Sequence, residues 1–394
     1  MAIKASSARA RGWRPSWSDP RARALLYQVL VLAAVAGLAW FLVSNTLANL
    51  AARNISTGFG FLREEAGFAI GESLLDYAPA DSYGRAILAG LLNTLRVSAA
   101  GIVLATLLGS VLGIARLSGN WLAARVAGAY VEVMRNVPLL LQLFFWYALI
   151  TEGMPGPRNA HHPLPGVFIS NRGLSLPWLQ GQGLDGIAAG LVLAIALAVG
   201  LHHWAARRRA AAGKAPRTGR IACALLLGLP FLGWAACGGA LHWDVPQFQR
   251  FNFAGGITLS PEFTALLAGL VLYTSAFVAE VVRSGIQSVG RGQWEAARAL
   301  GLPPGRVLRL VVLPQALRVI VPPMASQYLN LTKNSSLAVA IGYPDLVSVA
   351  NTTLNQTGQA VEGILVIMAA YLAVSLSISL FMNWYNRRIA LAER

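Results

Sequence analysis

Four polar residues share one arc of an otherwise apolar stretch: Gln327, Asn330, Lys333 and Asn334 recur at three- and four-residue intervals. On a helix they would cover an arc of roughly 120°. An ammonium group among such residues needs water, a partner or an anionic ligand, and an amino acid offers a carboxylate as well as an ammonium. This stripe is the candidate substrate path. Its plain alternative is hydrogen bonding between helices. Two further pairs, Glu132 with Arg135 and Glu280 with Arg283, stand three residues apart and can meet across one helical turn. They are expected to be structural or gate-stabilising. The remaining chemistry is sparse. There is no G-x-x-x-x-G-K-[ST] phosphate loop, no G-x-S-x-G and no H-E-x-x-H. The pairs His161–His162 and His202–His203 have no further ligands at helical spacing, and Cys223 and Cys237 lie in an apolar segment as packing residues. The sequence therefore leads to no enzyme, no cofactor and no metal centre.

The elements that hold these residues are set by composition. The chain has 394 residues, 56% of them hydrophobic and only 12% charged. So little charge cannot cover a water-soluble surface, which makes this an integral membrane protein. The net charge of +16 does not imply nucleic acid, because the basic residues sit in short runs between apolar stretches. Stretches of about 20 apolar residues, enough to span a bilayer, occur near 25–45, 86–114, 128–150, 184–203, 220–241, 262–283, 317–339 and 361–383. The fold class is all-α, with about eight transmembrane helices. The first stretch follows Lys4, Arg9, Arg11 and Arg14 but is too long for a cleaved leader, and it reads as a retained helix. With both termini in the cytoplasm, 23 of the 32 basic residues fall inside, and Glu64, Glu65, Glu72, Asp76 and Asp81 gather in the first outer loop. Gly109–Gly113 and Gly186–Gly190 are small-residue pairs that permit close helix packing.

One charged stretch between the sixth and seventh spans, Gln293 to Gln315, is too long for a tight turn. Glu295 to Leu300 favours a helix that Gly301 can cap in the left-handed conformation. Pro303 and Pro304 suit the first turn of a second helix, and Pro314 marks its end or its bend into the next span. Such an amphipathic hairpin is suited to dock in a groove of another protein.

Here the sequence resembles a known family. Glu295-Ala296-Ala297, then Gly301, then Val311-Val312-Leu313-Pro314 look like the EAA loop of ABC-importer permeases, with Val311 where the family prefers Ile. The segments 93–98, 132–145, 273–289 and 316–342 resemble polar amino-acid uptake permeases of the histidine and glutamine type. The extra first helix and the inserted pair at 184–241 look like the longer Q-type permease subunit of general L-amino-acid transporters. The resemblance implies a five-helix permease core spread over 86–150 and 262–394, preceded by a tail, helix and outer loop at 1–85. An insertion at 151–261 holds an outer loop and two extra helices. It further implies a multi-pass subunit of the bacterial inner membrane that carries amino acids inward. A coupling loop at 293–314 (Glu295, Ala296, Ala297, Gly301, Val311, Leu313 and Pro314) would meet the ATPase. The partners would be a second permease subunit, two cytoplasmic ATPase subunits and a periplasmic amino-acid-binding protein. A permease for another small polar solute, and a gradient-driven carrier or channel, are the alternatives to set beside it.

Overall fold

The structure, a computed structural model, describes residues 20–52, 57–181, 183–212, 218–239 and 241–389. The basic tail before residue 20, Lys214 and Arg217 in the basic loop, and Arg394 lie outside them. Helices follow in the order α1 (Pro20–Ala52), α2 (Tyr83–Ala115), α3 (Trp121–Asn136), α4 (Leu139–Thr151), α5 (Gly183–Ala212), α6 (Gly219–Ala236) and α7 (Pro261–Gln287). Then come α8 (Arg291–Ala299), α9 (Pro304–Val307), α10 (Leu313–Asn334), α11 (Leu346–Thr357) and α12 (Ala360–Ile389). Among the described residues seven helices, or helical runs, are long and apolar enough to cross a membrane, and counting α3 with α4 as one span makes eight.

That pair departs from the straight span expected over 128–150. α3 and α4 meet at 106°. Pro138 pushes Val137 out of the helical region, to φ −92° and ψ 128°, and the helix breaks there. The buried Gln142 side chain compensates, its amide donating to the carbonyl oxygens of Met134 and Val137, both at 3.0 Å.

α2 and α7 form the centre of the bundle. A Cβ on Gly109 would lie 2.7 Å from the Ser275 carbonyl oxygen, and one on Gly113 2.7 Å from that of Ala279, so only glycine allows this approach. Val97, Leu143, Leu266, Leu270 and Tyr343 fill the core where α2, α4 and α7 meet. A second core gathers Val278, Val282 and Ile286 of α7 with Val307, Val312 and Ile320. α5 and α6 pack on each other through Gly186 and Gly190, whose Cβ positions would fall 2.0 and 2.3 Å from the carbonyl oxygens of Gly233 and Leu229. The 18-residue stretch of α1 best suited to span has no buried residue.

The segments flanking α5 and α6 carry short strands that the sequence does not announce. β1 (His161–Leu164), β2 (Val167–Ser170), β3 (Gly173–Leu176) and β4 (Trp178–Gln180) precede the pair. β5 (His242–Asp244), β6 (Gln247–Gln249), β7 (Asn252–Ala254) and β8 (Ile257–Leu259) follow it. The strands pair antiparallel as β1-β2-β3-β8, β4-β5 and β6-β7. Thus β3 and β4 close against strands 85 and 66 residues later, Leu174 opposite Leu259 and Trp178 opposite Asp244. This layer caps the end of the bundle where α7 begins; α8 and α9 project from the other end.

Candidate functional site

The projecting hairpin is built from local sequence. α8 ends at Ala299 with Leu300 as its cap, and Gly301 adopts φ +75°, the left-handed conformation that glycine reaches at little cost. The Gly301 and Leu302 amides donate to the carbonyl oxygens of Arg298 and Ala297 and so close the helix. Pro303 is extended and Pro304 opens α9, as the sequence leads one to expect. The second arm differs. Pro314 does not stop the helix: residues Leu308–Val312 form a π turn that leads directly into α10. Proline lacks an N–H and crowds the preceding turn, and the wider turn accommodates it. The arm is therefore one mechanical piece with the span.

Ala297, Val307 and Val312 are buried against α7, while Glu295, Ala296, Arg298, Leu300 and Gly301 face outward. Leu300 is 82% exposed at the tip. Val311 is half-buried, and Leu313 and Pro314 lie on the exposed side. Gln315 Nε2 donates to Gln293 Oε1 at 3.3 Å and ties the two arms at their base. The hairpin thus presents a small face bearing Glu295, Arg298 and the bare Leu300, held by a buried apolar seam.

Where the hairpin joins the bundle, Glu280 and Arg283 pair as their spacing predicts. The sequence reading missed a third member: Arg116, just past the end of α2, pairs with the other oxygen of Glu280. Arg283 also donates to Gln287 at 2.8 Å. This cluster ties α2 to α7 one and a half turns before α7 gives way to the hairpin. The other predicted pair does not form: Arg135 lies over the Phe277 ring at 5.2 Å, and Glu132 is exposed. The cation–π contact takes the guanidinium across to α7, away from its neighbour on α3.

The polar stripe sits on α10. Asn330 and Lys333 are exposed, and Gln327 and Asn334 are half-buried. Lys333 occupies the last turn of α10, where the chain tightens into a 3-10 helix over Ser335–Ile341. A cation at the C-terminal end of a helix is favoured by the helix dipole. Pro322, Pro323 and Ser326 continue the same exposed side toward the hairpin, so one face of α10 stays open along its length.

At the strand-bearing end a second polar network appears that the sequence reading did not find. Asn93 Nδ2 donates to the carbonyl oxygens of Glu72 and Pro344 at 2.7 and 2.9 Å. Arg96 pairs with Glu72 at 2.5 Å and stacks over Phe263 at 4.4 Å. The Leu346 amide donates to Thr94 Oγ1, and Asp345 caps α11 by accepting from the Ser348 amide at 2.8 Å. Asp345 is fully buried, and that burial pushes its carboxyl up to about 7. Among the described residues no group of three His, Cys, Asp or Glu is placed to hold a metal ion.

Comparison with known proteins agrees with this architecture. Residues 101–391 match the family model of the binding-protein-dependent transport system inner membrane component. The chain is 52% identical to the putative amino-acid ABC transporter permease protein YhdX of Escherichia coli (strain K12), covering 96% of this chain and 97% of that one. It is 47% identical to the general L-amino acid transport system permease protein AapQ of Rhizobium johnstonii, over 97% of this chain and 96% of its relative. It is 43% identical to the glutamate/glutamine/aspartate/asparagine transport system permease protein BztB of Rhodobacter capsulatus, over 95% and 96%. A bundle of membrane helices with an open polar face and a capped helical hairpin, matched over most of its length by this model, belongs to the family of inner-membrane components of binding-protein-dependent transport systems.

Proposed function

We propose that the chain is the permease subunit of an ATP-driven importer of L-amino acids of broad range, with ATP hydrolysed on separate subunits. The observation that carries this reading is end-to-end similarity, at 47–52% identity, to relatives named as amino-acid permeases. The hairpin supports it: Glu295, Ala296 and Gly301 lie on the outward face of the hairpin, whose second arm runs directly into α10, so a push by an ATPase at the tip would reach the stripe Gln327–Asn334. In this reading both termini and the hairpin are cytoplasmic. A second permease subunit closes the open face of α10, and a soluble binding protein delivers substrate at the strand-bearing end. The permease core comprises 86–150 and 262–394, and 151–261 is an insertion upon it. Arg116, Glu280 and Arg283 hold α2 and α7 together as the hairpin moves.

The test is uptake by vesicles reconstituted with this chain, its partner permease, the ATPase and the binding protein. Labelled L-amino acids should accumulate only with enclosed ATP and binding protein. Lys333→Met should assemble normally and lose most uptake, and Lys333→Arg should keep part of it. Amino-acid uptake that persists without ATP would overturn the reading; full uptake by Lys333→Met would remove that residue from the path.

A further inference from the structure

Beside the hairpin a long apolar groove enters the bundle. Its inner part has a volume of about 410 Å³ and lies between α2, α7, α10 and α12. A second part, of about 610 Å³, meets it at Ile114, Ile286 and Leu313 and continues beneath the hairpin to Leu117, Ser118 and Trp294. Along α2 the groove runs from Thr106 to the helix end at Ala115, about 14 Å, and continues past it to Leu117 and Ser118. One leaflet of hydrocarbon is about 15 Å deep, half of the roughly 30 Å core. The groove is thus about as long as one leaflet is deep.

Chemistry restricts what can occupy it. The lining is apolar except for a few hydroxyls, and at the closed end Thr106 and Tyr328 satisfy each other at 3.0 Å. A zwitterionic amino acid would lose its hydration there and find no compensating charge. The open face of α10 is elsewhere as well. Ser326, Asn330 and Lys333 lie about 150° around the helix from Leu317, Ile320 and Met324, which line the groove. A subunit apposed to the open face would leave the groove uncovered.

We propose that the groove is a phospholipid site, in which one acyl chain of a lipid from the hairpin-side leaflet threads from the mouth at Ser118 and Trp294 to the Thr106–Tyr328 end. Exposed Arg309 and Arg318 stand beside the lining residues Leu308 and Leu317 and favour an anionic headgroup. The chain lies between α2 and the residues that carry the hairpin, Trp294, Leu308 and Leu313, and fills the gap across which the hairpin would move. Hairpin motion and lipid occupancy are therefore linked.

A photoactivatable phospholipid, with a diazirine on its acyl chain, tests this on the wild-type permease in membranes, without relying on any variant to fold. Crosslinks should fall in peptides containing 106–118 and 282–294. Native mass spectrometry of the detergent-purified chain should show one retained phospholipid, with occupancy at least fivefold lower in Ile114→Trp and Leu317→Trp, which fill the groove from different walls. Leu376→Trp, on the exposed opposite side of α12, should retain it. Crosslinks confined to the outer surface, or equal occupancy in all variants, would show only annular lipid and overturn the site, leaving the transport reading untouched.

Discussion

Asp345 shows how a single residue can link pH to the fold. Its carboxyl titrates at about 7 in the folded protein because burial disfavours the charge, whereas an unfolded aspartate titrates near 3.9. Between those values the folded state holds the extra proton. Stability from this group is complete below about pH 4 and is lost as pH rises through 7, by at most about 1.4 kcal/mol per pH unit. Asp345→Asn can still cap α11 and carries no charge. It should flatten the pH dependence of thermal unfolding between pH 4 and 7 and melt higher than wild type at pH 8. A lower melting temperature for Asp345→Asn at pH 8 would mean that the ionised carboxylate supports the fold. Single residues were unevenly legible in the sequence. Glu280 and Arg283 pair within one turn, so their spacing reveals them. Arg116 reaches Glu280 across 164 positions and depends on how α2 lies on α7. The same holds for Asn93 and Pro344, 251 residues apart.

At the scale of elements, the hairpin was readable because its corner is made by backbone chemistry alone: a glycine that must be left-handed, followed by two prolines. Gly301→Val should put that requirement to the test. No atom lies within 4 Å of the position where its Cβ would stand, so the penalty is conformational, about 1–2 kcal/mol for a branched residue at φ +75°. The spans should insert and the bundle fold as in wild type, while recruitment of the ATPase and coupled uptake fall severely. Gly301→Asn should fall less, because asparagine tolerates the left-handed region. Equal loss in both variants would point to the missing hydrogen side chain, not the conformation, as what the partner needs. Other elements were misjudged for physical reasons. The kink at Val137 was signalled by Pro138, but 128–150 as a whole is apolar enough to read as one span. Pro314 was expected to end or bend its helix, yet a π turn absorbs it because α10 is anchored through Val312 and Ala316. The strands are three or four residues long, too short for alternation to emerge from the sequence.

For the molecule as a whole, hydropathy and charge were sufficient to read a multi-pass bundle, because a chain in lipid must satisfy its backbone within helices. They could not reveal that α5 and α6 pack chiefly on each other. α5 and α6 press on each other through glycines, and their other faces remain exposed with Leu191, Val192, Leu227 and Phe231 outward. Cys223 and Cys237 are exposed as well, Cys237 beside Gly186 at the strand-bearing end of the pair. Such surfaces are stable against lipid tails and provide nothing for a hydrophilic solute, so the pair should lie outside the path. In vesicles made with Cys223→Ala and Cys237→Ala, single cysteines introduced along α5 and α6 should react slowly with a membrane-impermeant thiol reagent. Adding substrate should leave those rates unchanged within about twofold. Cysteines at Ser326 and Asn330, on the open face of α10, should react readily and be protected by the loaded binding protein when ATP is present. Substrate protection along either inserted helix would place that pair against the pathway. The open face of α10 would then be one wall of a wider channel, with its opposite wall supplied by the insertion.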